Sequence, residues 1–165
     1  MTEQPRPERI DWNNMMQPLL VACPSFRPVW MEFLTEWEDN PILHEEEPQG
    51  KLPLYLALSD LANHLIEKLE RGETETFPAV FEVVESWHLL GTHEVQEAAT
   101  IGLLEDLTSE GRYATMGPED FAPWLGPETR RWWEEIKSFW ERLEREKREE
   151  QRRPLLKRFF QALRR

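Results

Sequence analysis

The sequence predicts an all-α protein, either a single-domain helical bundle or a short HEAT-like helical stack, with a protruding C-terminal helix. Apolar residues recur at helical spacing in several segments, and no segment shows the period-two alternation of a strand. The length of 165 residues is typical of one domain. We expect a flexible arm at residues 1–9, the helical domain at residues 10–143, and a charged helical extension with a basic amphipathic tail at residues 144–165.

The clearest helix is predicted between Pro53 and Gly72. Proline is favoured in the first turn of a helix, and glycine is favoured just after the last turn. Five leucines at helical spacing form the face that this helix would bury: Leu54, Leu58, Leu61, Leu65 and Leu69.

Two shorter helices are predicted before it. Pairs of apolar residues at a spacing of four indicate a helix that begins near Asn14, a start that leaves Pro18 in the first turn. Ser25 is the expected N-cap of the second helix, which ends near Pro41. Its apolar face is formed by Phe26, Val29, Trp30, Phe33, Leu34 and Trp37.

Two further helices are predicted on either side of Gly91. The second of them carries small residues on adjacent turns, namely Ala98, Ala99 and Gly102. Small side chains let a neighbouring helix backbone approach closely. We therefore expect this face to pack against another helix.

A long last helix is predicted to begin at Pro127. All residues from Glu144 to Arg153 are polar or charged, so this part is expected to extend into solvent, and Pro154 is expected to interrupt the helix. Beyond the proline, a second apolar stripe lies among basic residues: Leu155, Leu156, Phe159, Phe160 and Leu163.

The net charge of −12 is unevenly distributed along the chain. Residues 1–129 hold 7 Lys and Arg against 25 Asp and Glu, a balance of −18. Residues 130–150 hold seven of each sign, whereas residues 151–165 hold six basic residues and no acidic ones. An acidic body repels nucleic-acid phosphates and attracts basic protein surfaces, while the basic tail can do the opposite.

The cysteine content favours a reducing compartment. Cys23 is the single cysteine, so it cannot form an intramolecular disulfide, and no basic segment followed by an apolar run opens the chain. No stretch approaches the roughly 18 consecutive apolar residues that span a bilayer. We expect a soluble cytoplasmic protein without a transmembrane segment, with Cys23 as a buried structural thiol.

Three runs of residues carry a resemblance to a known family. They are FPAVFEVVESW at Phe77–Trp87, IGLLEDL at Ile101–Leu107 and WLGPETRRWWEEIKSFW at Trp124–Trp140. With them the chain resembles a family of small uncharacterised bacterial all-helical proteins, and this resemblance implies a bacterial helical domain. In type and size the chain is also similar to acidic immunity proteins, which neutralise toxins.

One pair of residues has the spacing of a metal-ligand motif. Glu85 and His88 form E-x-x-H on one helix, as in di-iron bundles, but a complete site needs a second such pair, and His64 with Glu67 has the reversed order. The pair is therefore interpreted as an ordinary surface or helix-edge pair. No signature of a catalytic centre or phosphate loop occurs, so we predict no catalytic residue, cofactor or metal ligand.

An aromatic cluster is interpreted mainly as core, with a ligand pocket or base stacking as the alternative. Its members are Phe121, Trp124, Trp132, Trp133, Phe139 and Trp140. Trp132 and Trp133 point about 100° apart on a helix, so one of them is expected to be partly exposed. Trp132 is a candidate partner-binding residue, because exposed tryptophans are favoured at interfaces.

Six acidic residues around the predicted loop at residues 44–51 are the other partner-binding candidates of the body: Glu36, Glu38, Asp39, Glu45, Glu46 and Glu47. They are either a solvated surface or a patch that steers a basic partner. In the tail, the candidates are the five apolar residues from Leu155 to Leu163. They are expected to dock on the body or on another copy, with a membrane or partner groove and nucleic acid as alternatives.

The leading functional hypothesis is a non-catalytic protein-binding module, such as an immunity or inhibitor protein, that engages a basic protein partner through its acidic helical surface. A metal-dependent or small-ligand enzyme built on a helical bundle is the first alternative. The second alternative is a regulatory module that uses the basic tail on nucleic acid or anionic lipid.

Overall fold

The computed structural model describes residues 8–41 and 51–163, and in these ranges the protein is helical, which confirms the predicted all-α class. Most of the predicted arm at residues 1–9 and of the predicted loop at residues 44–51 lies outside the described residues. An isolated parallel bridge between Ile10 and Gly91 is the β-type pairing found within the described ranges.

The described ranges contain seven α-helices. In order they are α1 (Met16–Ala22), α2 (Arg27–Trp37), α3 (Leu54–Glu70), α4 (Phe77–Leu90), α5 (His93–Glu97), α6 (Glu105–Leu107) and α7 (Pro127–Leu163). A π-helical segment, Ala98–Leu104, joins α5 to α6. Short 3-10 helices lie at Pro24–Phe26, Glu110–Arg112 and Pro118–Trp124.

Helix α3 contributes a large part of the core. All five predicted leucines of its apolar face are buried, and Gly72 follows the helix with a positive φ of 73°. The Gly72 N–H donates to the Leu69 carbonyl at 3.0 Å, and the Glu73 N–H donates to the Lys68 carbonyl at 2.8 Å. These two bonds form a Schellman cap, which glycine favours because it has no Cβ.

The small residues after α5 permit the close packing that the sequence predicts. Ala98, Ala99 and Gly102 are buried, and the π-helical segment that carries them packs against α3. A Cβ at Gly102 would lie 3.1 Å from Leu58 Cδ1 and 3.3 Å from Tyr55 Cδ1. The close approach of the two elements therefore depends on the missing side chain.

Helix α4 anchors the segment before α1. The indole N–H of buried Trp87 donates to the Met15 carbonyl at 3.0 Å. The bridge adds two bonds, from the Ile10 N–H to the Leu90 carbonyl at 3.2 Å and from the Thr92 N–H to the Ile10 carbonyl at 2.8 Å. Residues 10–15 are thereby held at the C-terminal end of α4.

The predicted N-cap of α2 is wrong. Residues Pro24–Phe26 form a 3-10 turn, α2 begins at Arg27, and Ser25 Oγ lies 2.8 Å from His64 Nε2. An N-cap at Ser25 would place Pro28 at N3, where the missing N–H removes a bond that a capping side chain accepts. The buried position predicted for Cys23 is confirmed.

The predicted interruption at Pro154 is also wrong, because α7 continues through it to Leu163. An internal proline removes the single hydrogen bond to the carbonyl four residues earlier. That carbonyl belongs to Glu150, and the surrounding residues are exposed, so water can replace the lost donor. The main compact unit ends at Trp133, and Glu134–Arg165 forms a second unit.

The aromatic cluster is only partly core. Phe121 and Trp133 are buried, as the core interpretation requires, whereas Phe139 is 48% exposed and Trp140 is 38% exposed. The core interpretation is wrong for Phe139 and Trp140. Both belong to the second unit, whose described part is one helix, and a lone helix has no second element within its unit to bury them against.

We predict that Trp87→Phe lowers the free energy of unfolding by about 3 kcal/mol, because the Met15 carbonyl loses the hydrogen bond from the indole N–H and the smaller ring leaves a cavity. Urea unfolding followed by circular dichroism measures this. Trp132→Phe, at a half-buried tryptophan, is the control and should cost less than about 1 kcal/mol. Equal losses in the two variants would contradict the anchoring role.

Candidate functional site

A cleft of about 520 Å³ opens where the segment before α1 meets α2, α5 and the start of α3. We call it the Trp12 cleft. The residues of its lining that bear on function are aromatic or charged: Asp11, Trp12, Trp30, Glu38, Lys51 and Glu94. Such a lining combines flat apolar faces with acidic groups, which is the chemistry that recognises organic cations.

The two tryptophans of the cleft are fixed by their neighbours. The Trp12 indole N–H donates to the Leu52 carbonyl at 2.9 Å, and the Trp12 ring lies 6.1 Å from the Tyr55 ring, measured between centroids. Trp30 stacks on Phe33 with a centroid distance of 5.2 Å. The aromatic walls are therefore preorganised, so less side-chain entropy is lost when a group binds between them.

The protein places one of its own cations in this cleft. Lys51 Nζ lies 4.8 Å from the centroid of the Trp12 ring and 2.5 Å from Glu94 Oε1. The first contact is a cation–π interaction and the second is an ion pair. The arrangement is thus able to hold an ammonium group between an aromatic face and a carboxylate.

The charged residues of the described cleft lining are mainly acidic, with Asp11, Glu38 and Glu94 against the one cation of Lys51. Burial first, and then the nearby carboxylates of Glu97 and Glu94, raise the pKa of Tyr55 above its ordinary value. Glu38 and Asp11 add further carboxylates to the lining. A cation that enters the cleft is therefore attracted from more than one side.

Of the six acidic residues predicted to bind a partner, one within the described ranges lines this cleft. Glu38 lines it, whereas Glu36 and Asp39 are exposed residues outside the lining. Burial, followed by the charge of Glu36, raises the pKa of Asp60 on α3, so Glu36 lies close to that carboxylate. Glu45, Glu46 and Glu47 lie outside the described residues.

The other predicted partner-binding residues lie elsewhere. Trp132 is half-buried, and the guanidinium of Arg131 lies 4.5 Å from the centroid of its ring. It does not line the Trp12 cleft. The tail residues belong to the second unit and are between 52% and 67% exposed: Leu155, Leu156, Phe159, Phe160 and Leu163.

Glu85 caps the N-terminus of α7. Its carboxylate accepts hydrogen bonds from the Glu128 and Thr129 N–H groups, both at 2.8 Å, and from the Thr129 hydroxyl at 2.7 Å. A Cβ at Gly126 would lie 2.5 Å from this carboxylate, so only glycine allows the approach. Glu85 therefore satisfies N–H groups that the first turn of a helix leaves unpaired.

His88 extends the same network, and its predicted place at a surface or helix edge is wrong. It is buried, with Nδ1 3.2 Å from Thr129 Oγ1 and Nε2 3.2 Å from Thr100 Oγ1. Burial lowers the pKa of His88, which favours the neutral ring. The pair links α4 to α7 and to the π-helical segment.

Two negative findings apply to the described ranges, 8–41 and 51–163. They hold no group of three or more His, Cys, Asp or Glu side chains placed to bind a metal ion. Their helices include none that is long and apolar enough to cross a membrane.

Comparison with known proteins places the chain in a family. Residues 16–141 match the family model described as Domain of unknown function (DUF7674). The chain belongs to this family. No curated protein and no solved structure matches it. The matched range includes Trp30, Glu38 and Glu94 of the cleft, whereas Asp11 and Trp12 precede it.

We predict that Glu85→Gln destabilises this family member by about 2 kcal/mol at neutral pH, because the new amide NH₂ faces backbone N–H donors. Glu82→Gln, at an exposed position on the same helix, is the matched control and should change stability by less than about 0.5 kcal/mol. Thermal unfolding measures both.

Acidification supplies a second readout for the same variant. Partial burial acts to raise the pKa of Glu85, but the hydrogen bonds from Thr129 and Glu128 outweigh it and lower that pKa. Its stabilisation is therefore present above the pKa of the unfolded chain, about 4.3, and is lost as the pH falls through the lower folded value. The wild type should lose more stability than Glu85→Gln on acidification, and parallel curves would contradict the role.

Proposed function

We propose that the protein is a non-catalytic protein-binding module whose Trp12 cleft receives a Lys or Arg side chain of a basic protein partner. One observation carries the proposal, namely the position of Lys51 over Trp12 and against Glu94. Lys51 is about one-third exposed, so it occupies a site that an outside side chain can also reach.

An arginine of the partner is the preferred occupant. Guanidinium is planar, more weakly hydrated than ammonium, and stacks on aromatic faces. It can pair with a carboxylate such as Glu38 while it lies against Trp12 or Trp30, both of which line the cleft. Arginine can therefore compete with Lys51 for the same two kinds of contact.

The charge of the body supports a basic partner. Residues 1–129 carry a net charge of −18, and a field of this sign accelerates the encounter with a basic surface and disfavours nucleic acid. Within the class of protein-binding modules we favour an immunity or inhibitor protein, because an acidic protein of this size can cover a basic functional surface. This narrower assignment rests on analogy of type and size.

Binding of a hexa-arginine peptide tests whether Lys51 competes for the cleft. Lys51→Met removes the competing ammonium group from the cleft and should strengthen binding about tenfold, which is about 1.4 kcal/mol. Lys68→Met removes the same charge and also an ion pair, the one with Glu73, but lies outside the cleft and should change affinity less than about threefold. Isothermal titration calorimetry measures both variants.

Two further variants complete the design. Glu38→Gln, inside the lining, should weaken peptide binding, whereas Glu82→Gln, on the exposed face of α4, should leave the affinity close to that of the wild type. If the two lysine variants strengthen binding equally, or the two glutamate variants weaken it equally, the peptide responds to net charge alone and the proposal of the cleft fails.

A further inference from the structure

The last part of α7 has a charge pattern unlike the rest of the helix. We call residues 151–163 the basic tail. Residues 151–165 contain six Lys and Arg and no Asp or Glu, whereas residues 130–150 of the same helix contain seven residues of each sign. A helix face that pairs with another protein helix commonly uses both signs. One sign alone suits a surface of uniform opposite charge.

Most of this charge lies outside the apolar face of the helix. At about 100° per residue, the five large apolar side chains fall within an arc of about 140°. They are between 52% and 67% exposed: Leu155, Leu156, Phe159, Phe160 and Leu163. The remaining arc carries Arg153, Lys157 and Arg158 together with Gln161, whereas Arg152 projects within the apolar arc, one turn before Leu156. Because α7 continues through Pro154, this pattern forms one uninterrupted amphipathic surface.

The apolar face is wide rather than narrow. Adjacent pairs at Leu155/Leu156 and Phe159/Phe160 place two large side chains side by side on successive turns. A coiled-coil seam uses a narrower stripe at the a and d positions. Two tails that pair with one another would also bring like charges together. Both points favour contact of the apolar face with a broad apolar layer over pairing with a second tail.

Cations border this face directly. An open surface hollow on the helix is lined by Arg153, Leu156, Lys157 and Phe160, with Gln161 beside them. The hollow therefore joins two basic groups to two apolar groups. This is the combination that binds a phosphate headgroup together with the first part of an acyl chain.

We propose that the basic tail lies on the surface of a membrane rich in anionic phospholipids. Its leucine and phenylalanine side chains enter the boundary between headgroups and acyl chains, and its lysine and arginine side chains contact the headgroup phosphates. Nucleic acid offers the same phosphates, but its backbone gives the five apolar side chains no layer to enter. This inference uses no residue of the Trp12 cleft and is independent of the proposed function.

The test uses the purified full chain and two kinds of vesicle. One kind is phosphatidylcholine, and the other contains equal parts of phosphatidylcholine and phosphatidylglycerol. Co-sedimentation should show binding to the anionic vesicles that is at least about tenfold stronger than binding to the neutral ones, because each basic residue near an anionic surface adds to the attraction. Equal binding to both kinds would overturn the proposal.

Two pairs of variants separate the tail from the rest of the helix. Phe159→Ser combined with Phe160→Ser should weaken binding to the anionic vesicles at least about tenfold. Phe139→Ser combined with Trp140→Ser removes two other exposed aromatic residues of α7 and should change binding less than about threefold, because no basic arc accompanies them. A comparable loss in both pairs would refute the assignment to the tail.

A second pair of double variants tests the role of the basic residues. Lys157→Gln with Arg158→Gln should weaken binding about tenfold or more, since each basic residue near an anionic surface adds to the attraction. Lys147→Gln with Arg148→Gln removes the same charge from the mixed segment and should leave binding near that of the wild type. If the two double variants weaken vesicle binding equally, net charge rather than the tail determines binding.

Light scattering and a duplex DNA retention assay examine the competing occupants. A wild-type dimer that Phe159→Ser with Phe160→Ser converts to a monomer, without vesicle binding, would show that a second copy covers the tail. Retention of DNA without vesicle binding would assign the tail to nucleic acid. Either result overturns the membrane proposal and leaves the Trp12 cleft untouched.

Discussion

The hydrogen bond from the Trp87 indole to the Met15 carbonyl positions the candidate site. It is buried, and it holds the segment before α1 against α4, where the bridge at Ile10 adds two backbone bonds. That segment supplies Asp11 and Trp12 to the cleft. Because the chain from Asp11 to Met15 has little regular structure of its own, the aromatic wall of the site depends on this long-range anchor.

Under the proposed function, the internal cation of the Trp12 cleft has energetic consequences. Lys51 pairs with Glu94 and lies over the face of Trp12 in the free protein, so one of the carboxylates of the lining already has a cationic partner. Under the proposed function, a partner must bind the cleft more favourably than Lys51 does, which lowers the affinity for weakly basic surfaces and favours a well-placed arginine. Competition of this kind therefore provides specificity at the cost of affinity.

Local patterns predicted much of the fold, while the cleft depends on contacts that they do not encode. The leucine face of α3, the cap at Gly72 and the start of α7 at Pro127 follow from spacing and backbone chemistry. Charge density selected Glu38, but the contact between Trp12 and Lys51 joins distant parts of the chain and leaves no periodic signal. The errors at Ser25 and Pro154 arose because single-residue preferences were overridden by a neighbouring proline and by hydration of an exposed helix.

Nuclear magnetic resonance of the Lys51 side chain tests the central claim most directly. A methylene group beside the face of an indole ring is shielded, so the Hε protons of Lys51 should resonate upfield in the free protein. As the hexa-arginine peptide saturates the protein, these protons should move to the ordinary lysine position because guanidinium replaces the ammonium over Trp12. Peptide binding that leaves the Lys51 resonances unmoved, or an ordinary Lys51 shift in the free protein, would contradict the account.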